Sequence, residues 1–141
     1  MILIINGPNL NLLGKRQPEI YGSDTFEGFL QKLRERFAEE AIEYYQSNSE
    51  GEIIGKIHQA GYELNDCKGI VINPGAYSHY SYAIADAISS IQKPVVEVHI
   101  SNIMDREEFR SHSVTAPSCR GMLTGFGLEG YALAVDYLLN L

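Results

Sequence analysis

Two residues of the chain, Glu97 and His99, have the types and the spacing of an acid–base pair. They lie in the apolar run VVEVHI, which predicts a β-strand. Side chains at positions i and i+2 of a strand share one face, so the carboxylate can hold one imidazole nitrogen and stabilise the imidazolium. The other nitrogen then becomes a usable general acid. A capped, partly buried histidine would show the same pattern, but an unpaired carboxylate in a valine-rich strand is costly, which favours function.

A second candidate pair, Arg16 and Tyr21, lies in the long segment INGPNLNLLGKRQPEIYG that leaves the first apolar run. A free tyrosine titrates near pH ~10 and is a poor base at neutral pH, but an arginine within about 4–6 Å favours the phenolate. Such a pair on a closing loop could act as a general base. The spacing alone does not decide this, because a loop tyrosine is more often a packing residue.

Polar residues also follow two other predicted strand ends. The segment NGPN at 6–9 follows the first strand, and NPGAYSH at 73–79 follows the third. His79 is either a packing residue near a helix start or a hydrogen-bond partner for ligand hydroxyls. His58 and His112 belong to no motif that indicates a site.

The motifs disfavour three common kinds of site. The histidines and cysteines have no HxxxH, HxH or CxxC spacing, so no metal site is expected. The turn after the first strand matches neither GxGxxG nor GxxxxGK[ST], and Pro8 removes an amide that a flavin phosphate would need. No GxSxG elbow occurs, which argues against a serine hydrolase.

The elements that must position these residues alternate along the chain. Apolar runs predict strands at 2–5, 43–47, 69–72, 95–100 and 122–125. Helical spacing of apolar residues predicts helices from a capping box at 24–27, from a second box at Ser49 and Glu52, and over 81–91 and 128–139. Asp105 and Glu108 are expected to cap a short helical turn.

Alternating strands and helices predict a parallel sheet with helices on both faces and right-handed crossovers. Five strands in 141 residues are typical of an α/β flavodoxin-like three-layer sandwich with strand order 2-1-3-4-5. No linker or repeat divides the chain, so one domain over 1–141 is expected. Ligands of such folds bind beyond the carboxyl ends of the strands, which directs attention to the loops after strands 1, 3 and 4.

The bulk composition limits the partners. Eleven basic against eighteen acidic residues leave a net charge of −7, which argues against nucleic-acid binding but allows a local pocket for a small anion. The apolar runs are far shorter than the ~20 residues that span a bilayer, and the N-terminus does not look like a signal peptide. We therefore expect a cytoplasmic protein without a membrane partner and with free thiols at Cys67 and Cys119.

Four segments in order, INGPNLNLLGKRQPEIYG, VINPGAYSHYS, VVEVHISNIMDREEFRSHS and TGFGLEGYALA, resemble type II 3-dehydroquinate dehydratase of the shikimate pathway. The likeness runs nearly end to end, which makes it specific. It implies a flavodoxin-like fold and an enzyme that uses neither metal nor cofactor. It also implies the reversible anti elimination of water from 3-dehydroquinate to 3-dehydroshikimate through an enolate.

The resemblance implies a role for each catalytic candidate. Tyr21 is expected to remove the proton next to the ketone, and Arg16 to favour its phenolate. Asn9 is expected to help hold the water that stabilises the enolate. His99, oriented by Glu97, is expected to protonate the leaving hydroxyl.

The same resemblance implies how the substrate binds. Its carboxylate is expected at the backbone amides of Ile100 and Ser101, with Asn73 nearby. Ring hydroxyls are expected at Arg110 and His79.

The resemblance further implies assembly into trimers that form a homododecamer, in which Asp86 reaches the site of a neighbouring subunit. Two other readings remain open from the residues alone. One is a non-enzymatic flavodoxin-like module for a nucleotide or flavin, which Pro8 disfavours. The other is a structural oligomer-forming domain, which would leave Glu97 and His99 without a shared purpose.

Overall fold

The computed structural model describes residues 1–15 and 25–141, and it confirms the predicted alternation of elements in these ranges. The strands there are β1 (Ile2–Asn6), β2 (Ile42–Gln46), β3 (Gly69–Asn73), β4 (Val95–His99) and β5 (Gly121–Thr124). The α-helices are α1 (Phe26–Arg36), α2 (Glu50–Tyr62), α3 (Tyr82–Ser89) and α4 (Glu129–Leu139). Short 3-10 helices lie in loops at Leu10–Leu12, Gly75–His79, Ile103–Asp105, Glu108–Arg110 and Ala116–Ser118. No helix in the described ranges has the length and apolarity to cross a membrane.

The strands form a parallel sheet in the order β2-β1-β3-β4-β5, as predicted. β1, β3 and β4 are buried along their whole length, because helices cover both faces of the sheet. Asn6 at the end of β1 is in register with Asn73 at the end of β3, and Ile72 is in register with Glu97 of β4. Polar side chains from three strands therefore meet at the carboxyl edge of the sheet.

Successive residues of each strand face two separate cores. Ile2 and Ile4 pack with α1 and α4 on one side of the sheet. Leu3 and Ile5 pack with α2 and α3 on the other side. Tyr131 of α4 is fully buried in the first core, where it packs against the central strands.

The helix starts follow the sequence closely. The hydroxyl of Ser49 accepts a hydrogen bond from the amide of Glu52 at 3.3 Å, which is one half of the predicted capping box. In place of the other half, the amide of Ser49 donates to the hydroxyl of Ser47 at 2.9 Å. α1 begins after Thr25, whose hydroxyl accepts from the amide of Gly28 at 3.2 Å. Asp24, the first residue of the other predicted box, lies outside the described residues. The remaining element ends lie within two residues of the predicted ones.

The prediction that Asp105 and Glu108 cap a helical turn is wrong. Asn102 is the cap instead: its Oδ1 accepts from the amide of Met104 at 3.1 Å, and a 3-10 helix follows. Another 3-10 helix begins after Glu107 without a side-chain cap. The short amide side chain of Asn102 reaches an amide two residues on, whereas Asp105 is already the last residue of its turn.

Candidate active site

The loops after β1, β3 and β4 enclose a cleft at the carboxyl edge of the sheet. Its volume of about 120 Å³ is far more than one water needs, so it can hold a small ligand. Residues predicted from the sequence that line it are Asn9, Asn73, His79, His99, Ile100, Ser101 and Arg110. The cleft lies where the strand order reverses, which is the place that the topology predicts for a ligand.

The floor of the cleft depends on close packing between the loops after β1 and β3. The amide of Gly7 donates to the carbonyl oxygen of Asn73 at 2.8 Å. A Cβ atom at Gly7 would lie 2.5 Å from the carbonyl oxygen of Pro74, so this approach requires glycine. Asn9 follows in the left-handed region with a φ of 69°, which asparagine tolerates, and its amide donates to Oδ1 of Asn48 at 3.0 Å.

The side chain of Asn73 is buried and held at both ends. Its Oδ1 accepts from the amide of Gly75 at 3.1 Å, and its Nδ2 donates to the hydroxyl of Tyr131 at 2.9 Å. Gly75 has a φ of 61°, a conformation that glycine adopts without strain. The β3 loop thus presents Asn73 to the cleft in one fixed orientation.

His79 lines the cleft with a defined tautomer. Its Nδ1 lies 2.7 Å from the carbonyl oxygen of His112, and because a carbonyl only accepts, Nδ1 carries the hydrogen. Burial is the main factor that lowers the pKa of His79, and the charges of His99 and Arg110 lower it further. His79 is therefore a neutral acceptor at Nε2. His112, which the sequence left without a role, contributes its backbone carbonyl.

The contact predicted between Glu97 and His99 is present. Nε2 of His99 donates to Oε2 of Glu97 at 2.8 Å, and both side chains are buried. Glu97 lies behind the imidazole and does not itself line the cleft. Because Nε2 is occupied by the carboxylate, Nδ1 is the nitrogen of His99 that can exchange a proton with a ligand. The ring centroids of His79 and His99 are 6.5 Å apart, so one small ligand can contact both.

Two hydroxyls that hold Glu97 were missed at the sequence level. Ser113 donates to Oε2 of Glu97 at 2.6 Å, and Thr115 donates to Oε1. Ser113 in turn accepts from the amide of Ala116 at 3.0 Å, which directs its hydrogen toward the carboxylate. These residues lie in a loop 16 and 18 positions after Glu97, and the only signal in the sequence is a pair of hydroxyl residues at i and i+2.

Arg110 brings a cation to the cleft. Its Nε is 2.6 Å from Oε2 of Glu107, and its guanidinium lies over the ring of Phe109 at 4.7 Å from the centroid. Ile100 and Ser101, the first residues after β4, also line the cleft. These three predicted residues therefore line the same cleft as His99.

The three predicted site residues that remain are Asp86, Arg16 and Tyr21. Asp86 is exposed on α3 and is absent from the lining. Arg16 and Tyr21 lie outside the described residues. Across 1–15 and 25–141, no group of three His, Cys, Asp or Glu side chains is placed to hold a metal ion.

The described part of the site combines three chemical functions. The pair of Glu97 and His99 can deliver a proton, the neutral His79 can accept a hydrogen bond, and Arg110 can bind an anionic or hydroxylated group. This set is suited to acid–base chemistry on a small polar anion.

Comparison with known proteins agrees with this chemistry. Residues 1–139 match the family model of Dehydroquinase class II. A 3-dehydroquinate dehydratase of Clostridium botulinum is 55% identical over 141 residues, covering 99% of this chain and 94% of that protein. One from Bacillus licheniformis is 53% identical over 142 residues, covering 99% and 95%. The crystal structure of type II dehydroquinase from Butyrivibrio crossotus superposes with a TM-score of 0.91 at 52% identity, covering 98% and 96%.

Proposed function

The chain belongs to the class II dehydroquinase family, and on this premise we propose that it removes water from 3-dehydroquinate by anti elimination through an enolate. The activity itself, that of a 3-dehydroquinate dehydratase and hence a hydro-lyase of the shikimate pathway, follows from the end-to-end likeness. The observation that carries the proposed mechanism is the buried pair of Glu97 and His99, whose imidazole opens into the cleft.

His99 is the proposed acid. In the second half of the reaction the bond between carbon and the leaving hydroxyl breaks, and His99 supplies the proton that turns this hydroxyl into water. The contact of 2.8 Å with Glu97 supports the role, because a carboxylate on Nε2 stabilises the imidazolium from which Nδ1 donates. General acid catalysis of this kind contributes about 10²–10⁴-fold.

Tyr21 is the proposed base, activated by Arg16. It removes the proton from the carbon next to the ketone, and the electron pair of that bond moves to the ketone oxygen as an enolate. Asn9 is proposed to help hold a water that stabilises this oxygen, and its place on the cleft wall supports this role. Enolate stabilisation must supply much of the rate, because protons next to a ketone are weakly acidic. The roles of Tyr21 and Arg16 rest on the family resemblance.

The remaining cleft residues are proposed to bind the substrate. Its carboxylate is assigned to the backbone amides of Ile100 and Ser101, with Asn73 nearby. The tautomer of His79 adds a detail: its Nε2 has a lone pair and no hydrogen, so a ring hydroxyl donates to it. Arg110, which only donates, takes the oxygen of another hydroxyl.

Several further expectations stay predictions. These are a single catalytic domain over 1–141, a cytoplasmic location, and a homododecamer of trimers in which Asp86 reaches a neighbouring site. The exposure of Asp86 on α3 is compatible with that contact.

The proposal is tested by mixing the protein with 3-dehydroquinate and following the ultraviolet absorbance of the conjugated enone. We expect a gain in the wild-type protein and its loss in Tyr21→Phe. Tyr137→Phe, at an exposed position of α4, is the matched control and should keep full activity. No absorbance gain at high enzyme concentration would contradict the activity, whereas full activity of Tyr21→Phe would contradict only the base assignment.

A further inference from the structure

A buried phenol lies beneath the cleft and connects the ends of its two central strands. Tyr131 of α4 is fully buried, with its ring edge-on to that of Phe26. Its hydroxyl donates to Oδ1 of Asn6 at 2.7 Å and accepts from Nδ2 of Asn73 at 2.9 Å. Asn6 and Asn73 are register partners and the last residues of β1 and β3. One hydroxyl therefore contacts both strands at the point where the catalytic loops begin.

The direction of each hydrogen bond in this group is determined. The amide of Gly75 can only donate, so the atom of Asn73 that faces it is the oxygen, and the nitrogen faces Tyr131. The hydroxyl of Tyr131 accepts from that nitrogen, and its own hydrogen goes to Asn6. Nδ2 of Asn6 then donates to the hydroxyl of Tyr44 at 3.3 Å. A chain of this kind fixes two amide orientations at once.

Nothing in the proposed chemistry uses the hydroxyl of Tyr131. Burial raises the pKa of Tyr131 well above its usual range, so it remains a neutral phenol that both donates and accepts. Asn73, in contrast, lines the cleft, and Nδ2 has a second hydrogen for which the described residues supply no acceptor. This hydrogen is available to a ligand only while the amide keeps its nitrogen on the Tyr131 side.

We propose that Tyr131 is a positioning residue, which holds the amide of Asn73 so that its nitrogen donates to the substrate. The proposal rests on the proposed function for the identity of the substrate. The carboxylate of 3-dehydroquinate is the group that a neutral N–H donor would contact, and it does not change in the reaction. Tyr131 therefore acts on ground-state and transition-state binding alike, which affects KM and leaves kcat unchanged.

Tyr131→Phe and Tyr44→Phe form a matched pair. Each removes one hydroxyl that contacts Asn6 and keeps an aromatic ring that packs on Phe26, but only the first hydroxyl contacts Asn73. We expect Tyr131→Phe to raise KM by about 5- to 10-fold with kcat within about twofold, as for the loss of one neutral hydrogen bond. Tyr44→Phe should leave both constants within about twofold of wild type. A folded Tyr131→Phe with an unchanged KM would overturn the proposal.

A double-variant measurement separates positioning from a general loss of packing. If Tyr131 acts through Asn73, Tyr131→Phe should cause no further rise in KM in an Asn73→Ala background. An additive rise would overturn the proposal. Should Tyr131→Phe fail to fold, Asn6→Ala provides the second test, because it removes the acceptor that directs the hydrogen of Tyr131. An unchanged KM in folded Asn6→Ala would count against the proposal in the same way.

Crystal structures of the two phenylalanine variants make the test independent of turnover. We expect the amide of Asn73 to rotate away from the amide of Gly75 in Tyr131→Phe and to stay in place in Tyr44→Phe. An unmoved Asn73 in both variants would contradict the positioning role even if the wild-type protein acted on 3-dehydroquinate. A moved Asn73 in an enzyme without that activity would leave the positioning role standing and contradict the proposed function alone.

Discussion

Glu97→Gln is the sharpest test of the acid. The substitution keeps the shape of a fully buried side chain and removes its charge. Ser113 and Thr115 remain beside it, and because hydroxyls can also accept, they can adapt to an amide. The hydrogen bond of 2.8 Å from Nε2 of His99 is the contact that changes most, because its acceptor would be a neutral amide oxygen in place of a carboxylate.

The size of the effect follows from this contact. A hydrogen bond to a charged group contributes about 1.5–3 kcal/mol. At about 1.36 kcal/mol per factor of ten, its loss from the transition state lowers kcat by about 10- to 150-fold. This loss reaches only the lower end of the roughly 10²–10⁴-fold that general acid catalysis contributes, because the substitution weakens the acid without removing it. Stability should change little, because removing a buried charge offsets the weaker bonds to Ser113 and Thr115.

The assay is kcat from the enone absorbance, with the melting temperature measured on the same samples. Glu43→Gln is the control, because Glu43 is exposed on β2 and away from the cleft. It should leave kcat unchanged. A folded Glu97→Gln whose kcat stays within about threefold of wild type would refute the reasoning, since the pair would then contribute under about 0.7 kcal/mol.

Other predictions follow from the same contacts. Thr115→Val should lower the free energy of unfolding by about 1–3 kcal/mol in denaturant titrations, because a buried carboxylate oxygen loses its donor, and Thr115→Ser should restore it. KM should stay flat as the pH falls to about 6.5, the ordinary pKa of a histidine, and should rise only below it. Burial lowers the pKa of His79, so this side chain stays a neutral acceptor at the higher pH. A rise in KM that begins above about pH 7 would contradict this. Gly7→Ala should lower kcat/KM at least about tenfold, because its Cβ would lie 2.5 Å from a backbone oxygen, whereas Gly55→Ala, with open space around it, should have no effect.

The sheet and its strand order could be predicted because the apolar patterns that indicate strands and helices lie within short, continuous segments of the sequence. β1 and β3 are continuous apolar runs, and the helices between strands carry apolar residues at helical spacing. The contact between Glu97 and His99 could be predicted for the same reason, since two residues on one face of a strand must be neighbours.

The groups that support the site could not be predicted, because their contacts join distant parts of the chain. Ser113 and Thr115 lie in a loop whose path no periodic pattern describes. Tyr131 is separated from Asn6 by 125 positions, and in α4 it looks like an ordinary core aromatic because its ring lies on the apolar face. Only the folded sheet shows that its hydroxyl reaches two amides. A hydroxyl can serve many partners, so its residue type says little about which one it has.

The two histidines of the cleft show how the same side chain takes opposite roles within one site. On His79 the fixed nitrogen meets a backbone carbonyl, and burial lowers the pKa of His79 by more than this hydrogen bond raises it. On His99 the fixed nitrogen meets a buried carboxylate, which stabilises the imidazolium. With ring centroids 6.5 Å apart, two imidazolium ions would repel each other, so a proton on His99 favours a neutral His79. Burial therefore keeps His79 an acceptor, whereas the carboxylate on Nε2 of His99 leaves Nδ1 as the nitrogen that exchanges a proton with a ligand.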